Sequence, residues 1–132
     1  MDAVWIRRGK ILLVRRGRAP FRGMWALPGG FVEREETVEA AMARELREET
    51  GLVGRPGKIV GVYSGPTRDP RKPVTTVAFL IQGSGGIPRG ADDASWAGWV
   101  PVKSAHPLAF DHDRIVRDAV RLFRRKDGGR VE

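Results

Sequence analysis

The chain has no cysteine among its 132 residues, and this absence excludes disulfide bonds and thiolate metal sites. It has no apolar run as long as a membrane span. Residues 1–6 lack both a basic start and a following apolar stretch, so they do not resemble a secretory signal. No repeat or Ser/Gly-rich linker divides the sequence. We therefore expect a single domain over residues 1–132, in the cytoplasm and without a membrane partner.

Charge is distributed unevenly along the chain, whose net charge is +8. Residues 33–49 hold seven acids and three arginines, a net of −4, and the remainder holds 21 bases and nine acids, a net of +12. A nucleic-acid-binding protein needs a continuous positive face. A metal site that handles polyphosphates needs carboxylates for the cation and arginines for the phosphates. The pattern favours the second class and predicts no nucleic-acid partner.

Runs of β-forming residues bounded by turn residues, together with helical periodicity, predict strands mixed with two helices. The predicted strands are Asp2–Arg7, Lys10–Arg15, Trp25–Leu27, Lys58–Ser64, Val74–Gln82 and Ser95–Val102. The predicted helices are Thr37–Thr50 and Arg114–Arg125. Thr37 suits the N-cap of the first helix, and Gly51 suits the position after its last turn. This composition of elements indicates an α/β layered domain.

One face of the first predicted helix changes from apolar to acidic along its length. At 3.6 residues per turn, Val38 and Met42 face the interior in the first half. Glu45 and Glu49 follow in the same direction, with Glu48 beside them. Like charges three and four residues apart repel, and partial burial removes their hydration. Periodicity alone leaves two interpretations open: a solvated surface face, or a site for a hard divalent cation that removes both penalties.

The residues around these carboxylates follow a fixed spacing. They read Gly30, five residues, Glu36, seven residues, and then Arg44-Glu45-Leu46-Arg47-Glu48-Glu49-Thr50-Gly51-Leu52. This pattern resembles the complete Nudix box, with nine specified positions filled over 23 residues. The resemblance covers nearly the whole chain and favours the cation over the solvated face. It implies the Nudix fold, an α/β/α sandwich with a mixed β-sheet.

The resemblance also implies a role for each residue of the box, with Mg²⁺ or Mn²⁺ as the cofactor. The implied metal ligands are Glu45, Glu48, Glu49 and Gly30, the last through its carbonyl. The implied catalytic residues are Glu45, Glu48 and Arg44, and Arg44 orients the carboxylates. Glu36 and Gly51 have implied structural roles. Bound cations neutralise a diphosphate and make a water more acidic, and a carboxylate removes its proton. Glu45 or Glu48 is the favoured base. Four acids outside the box are alternative candidates for the general base: Asp92, Asp93, Asp111 and Asp113.

The rest of the chain resembles the ADP-ribose pyrophosphatase branch of that family. The segments that carry this weaker resemblance are 21–33, 68–71, 92–94 and 108–112. The implied reaction is attack of water at phosphorus, which converts ADP-ribose to AMP and ribose 5-phosphate. The predicted substrate residues are Arg15, Arg22, Arg68 and Arg71 for the diphosphate, Glu33, Asp92 and Asp93 for ribose hydroxyls, and Trp25, Trp99 and Phe110 for adenine. Burial in the core is the alternative interpretation for the aromatic residues, and an internally paired turn is the alternative for 68–71.

Three other functions compete with this prediction. A MutT-type nucleoside triphosphatase or dinucleoside polyphosphate hydrolase shares the same box. A non-catalytic sensor of ADP-ribose-type ligands shares the weaker signals, but the box here is intact and no second domain is expected after Arg125. A nucleic-acid-binding module has only the net charge in its favour. The chain starts at the strand before the box, so we expect any homodimer to use a surface other than the extra N-terminal strands of many ADP-ribose pyrophosphatases.

Overall fold

The computed structural model describes residues 1–89 and 97–126. In chain order the elements are β1 (Asp2–Val4), β2 (Ile6–Arg7), β3 (Lys10–Arg15), β4 (Trp25–Ala26), α1 (Val38–Thr50), β5 (Arg55–Tyr63), β6 (Thr76–Gln82), β7 (Ala97–Pro101), a 3₁₀ turn (Val102–Ser104) and α2 (His112–Lys126). None of the helices in these two ranges is long and apolar enough to cross a membrane.

The strands form two sheets. In the first sheet β6 lies between β1 and β5, parallel to β1 and antiparallel to β5. In the second sheet β3 pairs with β2, β4 and β7, each in an antiparallel arrangement. The combination of parallel and antiparallel pairs confirms the predicted mixed β-sheet.

Successive residues of the buried strands face opposite sides, and each side is covered by one helix. The core under α1 contains Ala3, Trp5, Leu12, Ala41, Met42, Leu46, Phe79 and Ile81. The core under α2 contains Val4, Ile6, Ile11, Leu13, Ala78, Leu80, Ile115, Val116 and Ala119. Because one helix packs on each side of the strands, the α/β/α sandwich predicted from the sequence is confirmed.

The predicted strand Asp2–Arg7 is in fact two strands that belong to different sheets. The break falls at Trp5, which is buried and packs edge-on against Trp99 with ring centroids 5.6 Å apart. The chain then reverses at Arg8 and Gly9, which have positive φ values of 51° and 77°. Two such residues are typical of a tight hairpin turn. The hydrophobic pattern was correct here, but it could not show that the chain passes from one sheet to the other.

Other elements differ from prediction only at their ends. β5 begins at Arg55, earlier than predicted, and has register shifts between Pro56 and Gly61. β6 begins at Thr76, two residues later than predicted. α2 begins at His112, two residues earlier than predicted. The predicted start of β7, Ser95, lies outside the described residues.

Candidate active site

Helix α1 has the two ends that the sequence predicted. The Ala40 N–H donates a hydrogen bond to Thr37 Oγ1 at 3.0 Å, which identifies Thr37 as the N-cap. Gly51 adopts the left-handed conformation with φ 76°, and its N–H donates to the Arg47 carbonyl. These ends fix which face is buried. The buried residues of α1 are Ala41, Met42, Leu46 and Thr50.

A cavity of about 990 Å³ lies against the second half of this helix. One part of its wall is acidic and consists of Glu45, Glu48 and Glu49 from α1. Another part is basic and is formed by Arg15, Arg16, Arg18, Arg68 and Arg71, beside the ring of Phe110. The acidic and basic groups that the sequence predicted for one site therefore line a single cavity.

The three carboxylates differ in depth. Glu45 and Glu49 are half-buried, whereas the Glu48 side chain is 58% exposed at the rim. Glu49 Oε1 accepts a hydrogen bond from the Gly29 N–H at 3.0 Å. Burial and then the neighbouring charge of Glu45 raise the pKa of Glu49 to about 9. The acidic face predicted from the helical period thus faces the cavity, but only two of its members are deep.

Gly30 lies directly against the Glu45 carboxylate. A Cβ atom at position 30 would be 2.6 Å from Glu45 Cδ, which is closer than any real contact allows. The Gly30 carbonyl accepts a hydrogen bond from the Met1 amino group at 2.8 Å. A residue without a side chain is therefore required for this approach of loop and carboxylate.

Arg44 connects the loop before the helix to the acidic wall. Its Nε and Nη2 donate to the two oxygens of Glu36 at 2.7 and 3.0 Å, and its Nη1 donates to Glu45 Oε1 at 2.7 Å. Nη2 also donates to the Phe31 carbonyl at 3.1 Å. Hydrogen bonds from Arg44 and from the Glu33 amide lower the pKa of Glu36 to about 2. Arg44 and Glu36 thereby fix the position of Glu45 relative to the loop.

The acidic wall fits a hard divalent cation by the chemistry of its donors. Carboxylate and carbonyl oxygens are the ligands that Mg²⁺ and Mn²⁺ prefer, and the cation would offset the burial and the charge of Glu45 that raise the pKa of Glu49. Within residues 1–89 and 97–126, however, no three Asp, Glu, His or Cys side chains already converge on one point. Arg44 and the Gly29 amide hold Glu45 and Glu49 in this conformation. A bound cation would draw oxygens of these two side chains together.

The basic wall is built around Phe110. The Arg16 guanidinium lies 4.8 Å from the centre of this ring and the Arg71 guanidinium 5.8 Å from it. Arg16 Nε donates to the Pro20 carbonyl at 2.6 Å. Burial, and then the charges of Arg71 and Arg18, lower the pKa of Arg16. Three cations that repel one another in this way favour an anionic ligand beside them.

The predicted substrate residues fall into three groups. Those that line the cavity are Arg15, Arg68, Arg71 and Phe110. Three residues lie outside its lining: Arg22, Trp25 and Glu33. Arg22 and Glu33 are exposed on loops, and Trp25 is half-buried in β4 beneath Arg15. Asp92, with Asp93, lies outside the described residues. Of the predicted adenine contacts, Trp99 packs in the core against Trp5, and Phe110 faces the cavity.

Arg68 is held by a partner that the sequence did not reveal. Its Nε and Nη2 donate to the two carboxylate oxygens of Asp111 at 2.8 and 2.7 Å, and its side chain is only 7% exposed. Arg71 instead pairs with Asp69 at 2.8 Å and is 47% exposed. The internally paired turn considered for 68–71 is therefore present in part. Asp111, and Asp113, which accepts a hydrogen bond from the Leu108 N–H, have structural partners.

The Arg68–Asp111 pair predicts a loss of stability. We expect Arg68→Met to lower the free energy of unfolding by about 3 kcal/mol, because it leaves a partly buried carboxylate without its cation. Urea denaturation measures this change. Arg47→Met, at an exposed position, is the control and should stay within about 0.5 kcal/mol of the parent. Equal stabilities of the two variants would show that the pair contributes nothing.

Several residues of the cavity were not predicted. Arg16 and Arg18 belong to a visibly basic loop, but nothing in the sequence selects them over Arg22. Asp2 and Thr76 also line the cavity, and His112 lines it from the first turn of α2. An acid at the start of an apolar strand is the only signal that could have drawn attention to Asp2.

Comparison with known proteins gives a matching family model and several similar proteins. The model of the NUDIX domain family matches residues 2–119. An ADP-ribose pyrophosphatase of Methanocaldococcus jannaschii is 45% identical over 121 residues, which are 92% of this chain and 72% of that protein. An ADPR responsive transcriptional repressor of Acinetobacter baylyi is 32% identical over 83% of this chain and 46% of that protein.

Solved structures resemble this one over most of the chain. A MutT/nudix family protein from Enterococcus faecalis has a TM-score of 0.83 at 32% identity, over 92% of this chain and 60% of that one. The NUDIX domain of Shewanella oneidensis NrtR, solved as a complex with ADP ribose, has a TM-score of 0.82 at 31% identity, over 92% of this chain and 85% of that one.

Proposed function

This chain belongs to the NUDIX domain family, and on that premise we propose that it hydrolyses a nucleoside diphosphate linked to a second group. The substrate proposed first is ADP-ribose, with AMP and ribose 5-phosphate as products and Mg²⁺ or Mn²⁺ as cofactor. The observation that carries the proposal is the single cavity that joins the carboxylates of α1 to a wall of arginines. The archaeal relative named as an ADP-ribose pyrophosphatase supports the choice of substrate.

The proposed mechanism assigns a task to each residue of the acidic wall. Glu45, Glu48, Glu49 and the Gly30 carbonyl would hold the divalent cation. When bound, the cation neutralises the diphosphate and makes a nearby water more acidic. Arg44 orients Glu45 through its 2.7 Å hydrogen bond.

Proton transfer and bond cleavage complete the proposed reaction. A carboxylate oxygen of Glu45 or Glu48 accepts a proton from the attacking water. Glu48 is the freer of the two, because its contact with Arg44 is longer, at 3.5 Å. The water oxygen bonds to one phosphorus while the bridging P–O bond breaks, and the other phosphate leaves with the bridging oxygen.

The basic wall would hold the substrate. Arg15, Arg16 and Arg71 line the cavity and would contact the diphosphate, and Phe110, in the same lining, would stack on adenine. We do not assign a substrate role to Arg22, which lies outside the cavity lining.

Arg71 gives a direct test of this assignment. We expect Arg71→Ala to raise KM for ADP-ribose about tenfold with a smaller change in kcat, because a charge-assisted contact to the bound substrate is lost. Steady-state kinetics measure both constants, and thermal unfolding checks the fold because Asp69 loses its partner. Arg22→Ala is the matched control and should leave KM unchanged. Unchanged kinetics for Arg71→Ala would remove that residue from the substrate site.

A substrate panel tests the proposed reaction itself. Purified protein would be incubated in Mg²⁺ or Mn²⁺ with ADP-ribose, dGTP, 8-oxo-dGTP and diadenosine tetraphosphate, and the products identified by chromatography. We expect AMP and ribose 5-phosphate from ADP-ribose at the highest kcat/KM. Preference for a triphosphate would favour the MutT-type alternative, which a MutT-like relative of Streptomyces ambofaciens, 35% identical, also supports.

A non-catalytic sensor is the second candidate function. The repressor of Acinetobacter baylyi and the NrtR domain that was solved with ADP ribose both favour it. A sensor would bind ADP-ribose in a calorimeter with Mg²⁺ present and release no product. The complete set of Glu45, Glu48 and Glu49 favours the enzyme over the sensor.

The proposal retains three expectations about the setting of the enzyme. It acts on a small molecule without a nucleic-acid or membrane partner, it is cytoplasmic, and it forms a homodimer. Light scattering during size-exclusion chromatography would measure the assembly state. A mass equal to one 14.6 kDa chain would exclude the dimer.

A further inference from the structure

The Asp2 carboxylate lies where three other parts of the fold meet. Thr76, at the start of β6, donates through Oγ1 to Asp2 Oδ2 at 2.7 Å. His112, at the start of α2, places Nε2 3.4 Å from Asp2 Oδ1. Arg68, in the loop before β6, places Nη2 3.9 Å from Asp2 Oδ2. The Asp2 side chain is only 11% exposed, so these contacts rather than water satisfy its charge.

The ring of His112 has a defined tautomer. Its Nδ1 accepts a hydrogen bond from the Leu27 N–H at 3.0 Å, so the ring proton resides on Nε2. That proton faces Asp2. The carboxylate therefore orients the ring, and the ring in turn holds the backbone of Leu27. The same arrangement orients histidines through carboxylates at many functional sites.

Leu27 leads into the segment Pro28-Gly29-Gly30, and Asp2 holds the other side of that segment directly. The Asp2 backbone forms an antiparallel bridge with Gly29, and the Ala3 N–H donates to the Pro28 carbonyl at 2.8 Å. A Cβ atom at Gly29 would lie 2.8 Å from Asp2 Oδ1. Asp2 thus fixes the loop at both ends: at Leu27 through His112, and at Gly29 by contact.

This loop supports the acidic wall of the cavity. The Gly29 N–H donates to Glu49 at 3.0 Å, and Gly30 packs against the carboxylate of Glu45. A shift of the loop by a fraction of an ångström would displace both carboxylates and the Gly30 carbonyl together.

We propose that Asp2, His112 and Thr76 are positioning residues that hold the Leu27–Gly30 loop where the acidic wall can bind a divalent cation. None of the three is among the residues proposed to hold the cation or to accept the proton, and they act through the backbone of the loop. The proposal rests on the proposed function, because it needs the acidic wall to be the cation site. Loss of an outer partner of this kind weakens metal affinity by about tenfold to a hundredfold.

Two variants test the proposal without changing the charge near the cation. His112→Asn keeps an oxygen near the place of Nδ1 for the Leu27 N–H but has no group that reaches Asp2. Thr76→Val keeps the shape of the side chain and removes the donor to Asp2. Asp2→Asn is avoided, because loss of its charge would weaken cation binding by electrostatics alone.

Tyr63→Phe is the matched control. Tyr63 donates to Asp118 Oδ2 at 2.7 Å, which links β5 to the same helix α2 but involves no residue of the cavity lining. Each of the three variants removes one polar contact that anchors a strand or helix: the 3.4 Å contact of His112 with Asp2, the hydrogen bond of Thr76 to Asp2, or that of Tyr63 to Asp118. Similar losses of Tm are therefore expected. A role that is only structural would therefore affect all three alike.

Electron paramagnetic resonance measures the binding of Mn²⁺ to the substrate-free protein. The Tm and the Mg²⁺ concentration that gives half-maximal hydrolysis are measured as well. We expect His112→Asn to raise the Kd for Mn²⁺ about tenfold and Thr76→Val to raise it by a smaller factor, while Tyr63→Phe leaves it unchanged. If His112→Asn does not fold, the Kd of Thr76→Val for Mn²⁺ tests the proposal on its own.

Three results would overturn the proposal. Unchanged Mn²⁺ affinity in both test variants would show that the network does not position the loop. An equal loss of Mn²⁺ affinity in Tyr63→Phe would show that the network affects cation binding only through the general stability of the fold. Absence of Mn²⁺ binding in the parent protein would remove the proposed cation site as well, so failure of the inference and failure of the proposed function are distinguishable.

Discussion

Glu49→Gln should lower kcat for ADP-ribose by about a thousandfold, because an amide cannot supply the negative charge that Glu49 would carry beside a bound cation, and several kcal/mol of transition-state stabilisation are lost. The amide has the same size, and its oxygen can still accept the hydrogen bond that Glu49 receives from Gly29. Burial and the charge of Glu45 already disfavour the ionised form of Glu49, since they raise its pKa to about 9. The variant should therefore unfold at a Tm no lower than that of the parent protein in metal-free buffer at neutral pH.

The control for this experiment lies on the same helix. Glu39 is exposed in the first turn of α1, away from the cavity lining. Glu39→Gln makes the same chemical change and should retain full activity. Rapid-quench or coupled-assay kinetics measure kcat, and circular dichroism checks the fold. A Glu49→Gln enzyme with parental kcat would remove Glu49 from the cation site and would weaken the case for the whole acidic wall.

Gly30→Ala should lower kcat/KM by about a hundredfold, because displacement of a reacting group by about 1 Å costs activity of this order. The new Cβ would lie 2.6 Å from Glu45 Cδ, so the carboxylate or the loop must move. The movement would also disturb the hydrogen bond between Arg44 and Glu45. The effect should appear as a higher Mg²⁺ requirement as well as a lower maximal rate.

Gly65→Ala is the matched control for this substitution. Gly65 has no heavy atom within 4 Å of the position that a Cβ would take, and its backbone φ is not in the left-handed region. The same methyl group should therefore be accepted without loss of activity or Tm. Equal activity of the Gly30 and Gly65 variants would contradict the close approach of loop and carboxylate on which the site depends.

The ends and the faces of α1 could be predicted because they depend on the spacing of residues within one short segment. Thr37 and Gly51 mark the ends of α1, and the order of residues between them determines which side chains share a face. The structure confirms both ends. The helical period gives the direction of a side chain but not its depth, because depth depends on neighbouring segments. For this reason Glu48 was grouped with Glu45 and Glu49, although it lies at the rim.

Contacts between distant residues explain most of what the sequence could not show. The sequence predicts Arg68 as a substrate residue, and it gives no sign that Asp111, 43 positions away, forms a bidentate pair with it. Thr76, 74 positions away, and His112 both satisfy the charge of Asp2. No periodicity links such pairs, so only the folded chain shows that these residues are in contact.

The strand break at Trp5 has a similar cause. Residues 2–7 contain one continuous apolar run, yet the first half pairs with β6 and the second half with β3. An apolar run indicates which residues are buried, and residues 2–6 are all buried. It does not report which strand lies alongside, because pairing partners are chosen by tertiary packing.

Crystals grown with Mn²⁺ and measured at the manganese absorption edge would locate the cation directly. We expect an anomalous peak within about 2.0–2.6 Å of carboxylate oxygens from at least two of Glu45, Glu48 and Glu49, with the Gly30 carbonyl close to the same ion. A fully occupied peak elsewhere in the protein, with those three carboxylates free of manganese, would contradict it.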